Sequence, residues 1–177
     1  IWENDDIGRR FRDLLARRAR EGVEVRVIYD AVGGWNVRGG FLQAIVEAGG
    51  QVAPFLPVNL FERRLRVNFR NHRKIIVIDG KIGFTGGLNI ADEYRDWLDM
   101  AFRFDGPVVY QLQEVFAEDW FFAAGEDLGA AAYFPDVDEV IERCGEGDDA
   151  RARVIASGPD SRQRSIQKAF FLGITMA

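Results

Sequence analysis

The sequence predicts an α/β domain built on a mixed β-sheet with helices on both faces, and three observations carry the prediction. Short β-prone runs alternate along the chain with stretches of helical periodicity, as in layered α/β structures. Asp79-Gly80 stands between two β-prone runs, a strong signal for an antiparallel hairpin. The 177 residues are 47% hydrophobic and 12% aromatic, enough to bury a substantial core and to exclude wholesale disorder or a low-complexity architecture.

Taken in order, the first element is a helix. Asn4 or Asp5 is placed to cap it, and Ile7, Phe11, Leu14 and Leu15 recur at helical spacing up to a stop near Gly22. Val23, Val25, Val27 and Tyr29 then alternate with Glu24, Arg26 and Ile28 as in a half-buried strand, before glycine pairs at 33-34 and 39-40 punctuate the chain. Phe41 to Ala48 predicts a short helix closed by Gly49-Gly50, and Gln51 to Phe55 a second strand. Leu65 to Phe69 predicts a short extended segment. Lys74 to Asp79 and Lys81 to Thr85 form the arms of the hairpin, with Gly86-Gly87 ending the second.

Between Asp99 and Asp105, Met100, Phe102 and Phe104 alternate with Ala101 and Arg103, which predicts a further strand. Val108 to Ala124 places Val108, Leu112, Val115, Phe116 and Trp120 on one side of a long buried helix. Residues 125–150, acidic and rich in Gly and Ala, read as a connector containing Cys144. Arg153 to Ser157 predicts one more strand, and the chain from Ser161 onward an amphipathic helix through Ile166, Ala169, Phe170 and Ile174. The abrupt start and the missing helix stop lead us to expect a piece of a longer protein. Residues 1–150 would then be one domain, lacking its first strand, and 151–177 the truncated beginning of a second.

Composition narrows the chemistry. Cys144 is the single cysteine and cannot form an internal disulfide, and one Cys with one His cannot supply a four-ligand zinc site. No run of apolar residues reaches the length of a membrane span and no signal peptide opens the chain, so this segment reads as soluble. Residues 1–91 carry 15 basic and 10 acidic groups, whereas 92–149 carry 3 and 17. That asymmetry, within a net charge of −5, points to a local anion site rather than to a nucleic-acid surface, and no nucleic-acid partner is expected.

The only histidine, His72, opens a constellation: His72-Arg73-Lys74, Asp79 after four more residues, then Gly86-Gly87-Leu88-Asn89. On a strand, side chains repeat every two residues, so the imidazole of His72 and the ammonium of Lys74 face one pocket. Asn89 returns to the same end of the sheet after the hairpin. Gly86 and Gly87 allow backbone amides to approach an anion without Cβ interference. Lys74, Asn89 and those amides would stabilise charge developing on a phosphate, and Arg73 adds a cation beside it. Asp79, as the turn-entry residue, either stabilises the loop or joins the chemistry. The basic residues Arg63, Arg64, Arg66, Arg70 and Arg73 form either a solvated face or an anion-recruiting rim.

This H-x-K, four residues, D, six residues, G-G-x-N pattern resembles the phospholipase D superfamily signature. With Arg70-Asn71 before it, Ile90 and Asp92-Glu93-Tyr94 after it, and Trp97 to Asp99, Arg103, Gly106-Pro107, Phe116 to Trp120 and Val154 to Pro159 further on, it resembles the first motif region of bacterial cardiolipin synthases. The resemblance implies a phospholipase D-like fold and a phosphatidyltransferase. His72 would attack the phosphorus of one phosphatidylglycerol and release glycerol; the hydroxyl of a second phosphatidylglycerol would then accept the phosphatidyl group, giving cardiolipin. No metal or other cofactor is implied. Asp99 follows at the spacing of the superfamily's later carboxylate and is assigned to orient the imidazole of His72, whose neutral form is the nucleophile.

The family carries two such motifs in a two-histidine relay, and this chain carries one. The resemblance therefore implies a partner: either a second motif-bearing half in cis or another copy of the chain in a homodimer. Which histidine attacks and which protonates the leaving alcohol stays open. Relatives with Gly-Ser at the position of Gly86-Gly87 have a hydroxyl donor that this chain lacks, and Met100-Ala101 stand where many have Thr-His. The resemblance also implies membrane association of the full-length protein. Three rival readings share the residues: phospholipase D hydrolysis with water as acceptor, a nuclease of the superfamily, and a silent module that binds anionic headgroups.

Overall fold

The computed structural model describes residues 1–37, 39–55, 71–134, 136, 152–157 and 165–176. Its first helix, α1 (Asp6–Arg20), starts because the Asp5 carboxylate accepts the backbone N–H of Gly8 at 2.8 Å. Asp6 lies in its first turn and Arg17, Arg18 and Arg20 in its last, each complementing the helix dipole. The helix closes through paired bonds from Gly22 N to Ala19 O and from Val23 N to Arg18 O.

That closure explains one departure from the expected pattern. Val23, read as the first inward residue of a strand, is spent on ending the helix and is 48% exposed. Strand β1 (Arg26–Asp30) begins only after it. Helix α2 (Gly40–Glu47) follows and ends as expected at the Gly49-Gly50 pair, where Gly50 N donates to Ile45 O. Strand β2 (Gln51–Phe55) returns parallel to β1, with Arg26 opposite Gln51 and Asp30 opposite Phe55.

The β1–β2 pair is covered on both faces. Val25, Val27 and Tyr29 join Val52 in a core with Trp2, Phe41, Leu42 and Ile45, beneath α1 and α2. Ile28 and Ala53 point the other way, into a second core with Phe116, Trp120 and Leu128. The period-2 alternation read from the sequence is thus real, but it sorts residues between two cores rather than between core and water.

The antiparallel part consists of β3 (Ile75–Ile78), β4 (Ile82–Gly86) and β5 (Ala101–Asp105) in that spatial order. Asp79 and Gly80 both take left-handed conformations at the β3–β4 turn, with φ of 54° and 65°. Lys81 N closes that turn on Ile78 O at 3.0 Å. Parallel and antiparallel pairings are both present, as a mixed architecture requires, distributed over two sheets.

Helix α3 (Val108–Ala124) joins the sheets. It has the bounds that the sequence predicts, and Gly125, with φ of 75°, terminates it. Phe116 and Trp120 pack against β1 and β2, while Val109 and Leu112 lie under β4, where Gly83 permits close approach. A methyl at position 83 would stand 2.7 Å from a Leu112 methyl.

Residues 125–134 fold back on this core through Arg26. Its guanidinium donates to both carboxylate oxygens of Glu126 and to the Tyr133 hydroxyl, and Trp120 Nε1 donates to Glu126 at 2.8 Å. The chain from 152 to 157 belongs to no strand, contrary to the strand expected there. It is held by side chains instead: Val154 N donates to Gln111, and Ser157 O accepts from Arg73. Helix α4 (Ser165–Thr175) closes the described chain. The predicted segment at 65–69 and Cys144 lie outside the described residues.

Candidate active site

Strand β3 is preceded directly by Asn71-His72-Arg73-Lys74, and β4 ends at Gly86. Because Ile75 pairs with Thr85, and Gly86 with Ala101, Lys74, Gly86 and Gly87 fall at one end of the antiparallel sheet. Asn89 lies just beyond. Its side-chain oxygen accepts from the Ile1 nitrogen at 2.7 Å, and Trp2 forms a parallel bridge with Ile90. Lys74 lies near the same Ile1 nitrogen, so Lys74 and Asn89 share one neighbourhood.

The His72 side chain is exposed, and among the described residues its ring has no hydrogen-bond partner. Lys74 Nζ donates to His72 O at 3.1 Å. Backbone contacts on both sides hold the segment: Asn71 N donates to Asp30, and Arg73 N to the Asn71 side chain. A groove of about 350 Å³ opens beside His72, Lys74 and Gly86, with Ile75, Phe104 and Leu112 in its walls. A larger cavity, lined by Glu3, Asn4, Asp5, Asn36 and Glu93, is acidic and therefore ill suited to a phosphate.

Asp99 also reaches this end of the sheet. Its carboxylate lies against Gly87, where a Cβ would come within 1.9 Å of Oδ1, and it accepts from Met100 N at 2.7 Å. His72 and Asp99 precede β3 and β5, the two strands flanking β4, whose starts lie about 10 Å apart across the end of β4. No hydrogen bond joins them among the described residues. Gly86 has backbone at its back: a Cβ there would lie 2.2 Å from Met100 O.

Asp79 is not brought to the site. Five residues along an extended strand separate it from Lys74, about 16 Å, so it occupies the opposite end of the hairpin. Arg73, expected on a phosphate, turns its guanidinium to Asp119 on α3 and to Ser157 O. The basic residues at 63, 64, 66 and 70 lie outside the described residues.

Asp119 was not singled out from the sequence, although it is the buried charged residue among those described, 8% exposed. One oxygen accepts from Arg73, and the other from the Asn71 amide at 2.9 Å. The available signal was an acid on the otherwise apolar side of a long helix, next to Trp120. Its partners lie 46 and 48 residues away and could not be named from spacing.

A parallel strand pair covered by helices on both faces, beside an antiparallel sheet packed on α3, with His-x-Lys entering one strand and Gly-Gly-x-Asn leaving the next, defines a phospholipase D-like domain. A family model described as "Cardiolipin synthase, PLD-like domain" matches residues 6–120, which include every residue of this site. The chain belongs to that family. It is 40% identical, over its whole length, to a cardiolipin synthase of Halalkalibacterium halodurans and to one of Geobacillus kaustophilus, and 36% identical to cardiolipin synthase 2 of Bacillus cereus. It spans 36%, 36% and 35% of those relatives, respectively. No solved structure matches it. Among the described residues, no helix is long and apolar enough to cross a membrane.

Proposed function

We propose that this chain is the first motif-bearing half of a phosphatidyltransferase that makes cardiolipin and glycerol from two phosphatidylglycerol molecules. The observation that carries the reading is the meeting of Lys74, Gly86-Gly87 and Asn89 at the sheet end that His72 enters. A neutral His72 nitrogen attacks phosphorus, and the bond from phosphorus to the glycerol oxygen breaks as that oxygen takes a proton. The hydroxyl of the second phosphatidylglycerol then attacks the phosphohistidine, loses its proton and restores the imidazole. Lys74, Asn89 and the amides near Gly86 and Gly87 counter the negative charge that grows on the phosphoryl oxygens. Asp99 takes the orienting role toward His72, through side chains that cross the gap left by the glycines.

The leaving alcohol needs an acid that is distinct from the attacking imidazole. Residues 151–177 begin the second half that supplies it in cis, or a second copy of the chain supplies its own His72. The relatives' greater length supports the arrangement in cis. Membrane association belongs to the full-length protein. The test is the solution mass of this chain, followed on the same sample by incubation with labelled phosphatidylglycerol and analysis of lipid products. A dimer that forms cardiolipin supports the homodimer arrangement. An inert monomer that becomes active when joined to its downstream sequence supports the arrangement in cis. Phosphatidic acid as the sole product would replace the transferase reading with hydrolysis.

A further inference from the structure

His72 stands between two residues tied to the same carboxylate. Asn71 Nδ2 donates to Asp119 Oδ2 at 2.9 Å, and Arg73 Nη1 donates to Oδ1. The side chain of Asp119 is 11% exposed and that of Arg73 32%. Arg73 also reaches Ser157 O at 3.2 Å, and Asn71 is fixed at its backbone by Asp30 at 2.9 Å. The carboxylate belongs to α3, beside Trp120, one of the most completely buried side chains of the second core. The nucleophile's own ring takes no part in these bonds.

A buried carboxylate is costly to desolvate unless its oxygens are hydrogen-bonded and its charge is paired. Here both conditions are met by the neighbours of His72 on either side, so moving the segment away from α3 would leave Asp119 uncompensated. The penalty fixes the backbone of residue 72 while leaving its imidazole free to meet a phosphate. We infer that Asp119 is the positioning residue of the site. Through Asn71 and Arg73 it sets where His72 stands relative to Lys74 and Gly86-Gly87. Because it concerns how His72 is held for phosphoryl attack, this inference rests on the proposed transferase reading, but its geometric content can be read without turnover.

The test uses Asp119→Asn, which keeps the side chain's size and removes its charge, with Arg73→Lys as the conservative comparison. The chain contains one histidine, so ¹⁵N relaxation of the imidazole and hydrogen exchange of amides 71–74 report on the segment directly. The second readout is the single-turnover rate of His72 labelling by phosphatidylglycerol in mixed micelles. At a temperature where both proteins are fully folded, Asp119→Asn is expected to loosen amides 71–74. It is also expected to slow labelling about 100-fold at unchanged half-saturating lipid, as for a nucleophile displaced by about 1 Å. Arg73→Lys, which keeps a cation for Asp119, should lose much less.

If Asp119→Asn fails to fold, Asn71→Ala removes one arm from the other side and is expected to loosen the same amides. Wild-type order at 71–74, with an unchanged labelling rate in a folded variant, would overturn the inference and leave Asp119 with a purely architectural part. Loosened amides in a variant whose parent labels no lipid even when joined to its downstream sequence would uphold the positioning and refute the transferase reading instead.

Discussion

The contact between β4 and α3 can be tested with a two-residue cycle. Gly83 faces Leu112, which is 2% exposed, and a Cβ built on Gly83 lies 2.7 Å from a Leu112 methyl. Carbon atoms pack at about 3.5–4.0 Å, so Gly83→Ala must open the gap between strand and helix by about 1 Å. Overpacking of this kind costs about 2 kcal/mol. Leu112→Ala removes three buried carbons and leaves a cavity, at a cost of about 3 kcal/mol. In the double variant the new methyl occupies the vacated space. The overpacking disappears, and about 1 kcal/mol of the cavity loss is recovered by reburying one carbon. The double variant should therefore lose about 2 kcal/mol rather than the additive total of about 5, a coupling near 3 kcal/mol. Urea unfolding followed by circular dichroism and tryptophan fluorescence measures this, provided that the m-value stays constant across the four proteins. Additivity to within about 0.5 kcal/mol would show that α3 does not pack on β4 at Gly83 and would refute the account of how the helix joins the sheets.

Other predictions concern the chemistry and the ties around it. His72→Asn should abolish any covalent phosphoenzyme, seen as the loss of the adduct mass on intact protein, with an unchanged melting curve; an adduct on the variant would refute the nucleophile assignment. Glu126 has its pKa held below the ordinary 4.5, first by the hydrogen bond from Arg26 and then by that from Trp120. A depressed carboxyl contributes stability above its ordinary value and loses it as pH falls through the folded value, so Glu126→Gln should flatten the acid limb of the stability profile. Melting curves between neutral pH and pH 3 check this, and an unchanged acid limb would contradict it. Asp79 has a left-handed backbone, so Asp79→Val should cost about 1–2 kcal/mol, Asp79→Asn much less, and neither should alter the rate per folded molecule. A fall in that rate for Asp79→Asn, with stability intact, would return Asp79 to the chemistry.

Much of the framework was legible because local signals decided it. The apolar stripe from Val108 and the glycine at 125 fixed both ends of α3, and Asp79-Gly80 marked a turn whose two residues needed left-handed conformations. Reading failed where one residue had two possible duties. Val23 fits a strand by alternation but serves to close α1, and nothing in a period-2 pattern reveals a helix-capping bond. Residues 153–157 have strand composition, yet strand formation requires a neighbouring edge, and here side chains of α3 and Arg73 hold the segment. At the site, spacing alone brought together Lys74, Gly86, Gly87 and Asn89, because a hairpin makes neighbours of residues that are close in sequence. Asp119 and the Arg26–Glu126 pair were hidden because tertiary packing joins positions 46 to 100 residues apart.

The dependence of the His72 segment on α3 also has a temporal side. The β3–β4 hairpin closes over a three-residue loop and can form within microseconds. The bonds from Asp119 to Asn71 and Arg73 span a far longer stretch of chain, whose closure entropy must be met before they contribute. During folding, the strand that His72 enters therefore exists before anything dictates where its entry segment lies. A state with full secondary structure but an undocked α3 would carry all the residues of the site and none of its geometry. On the proposed reading, competence to react at His72 marks the completion of the domain, not the formation of its sheet.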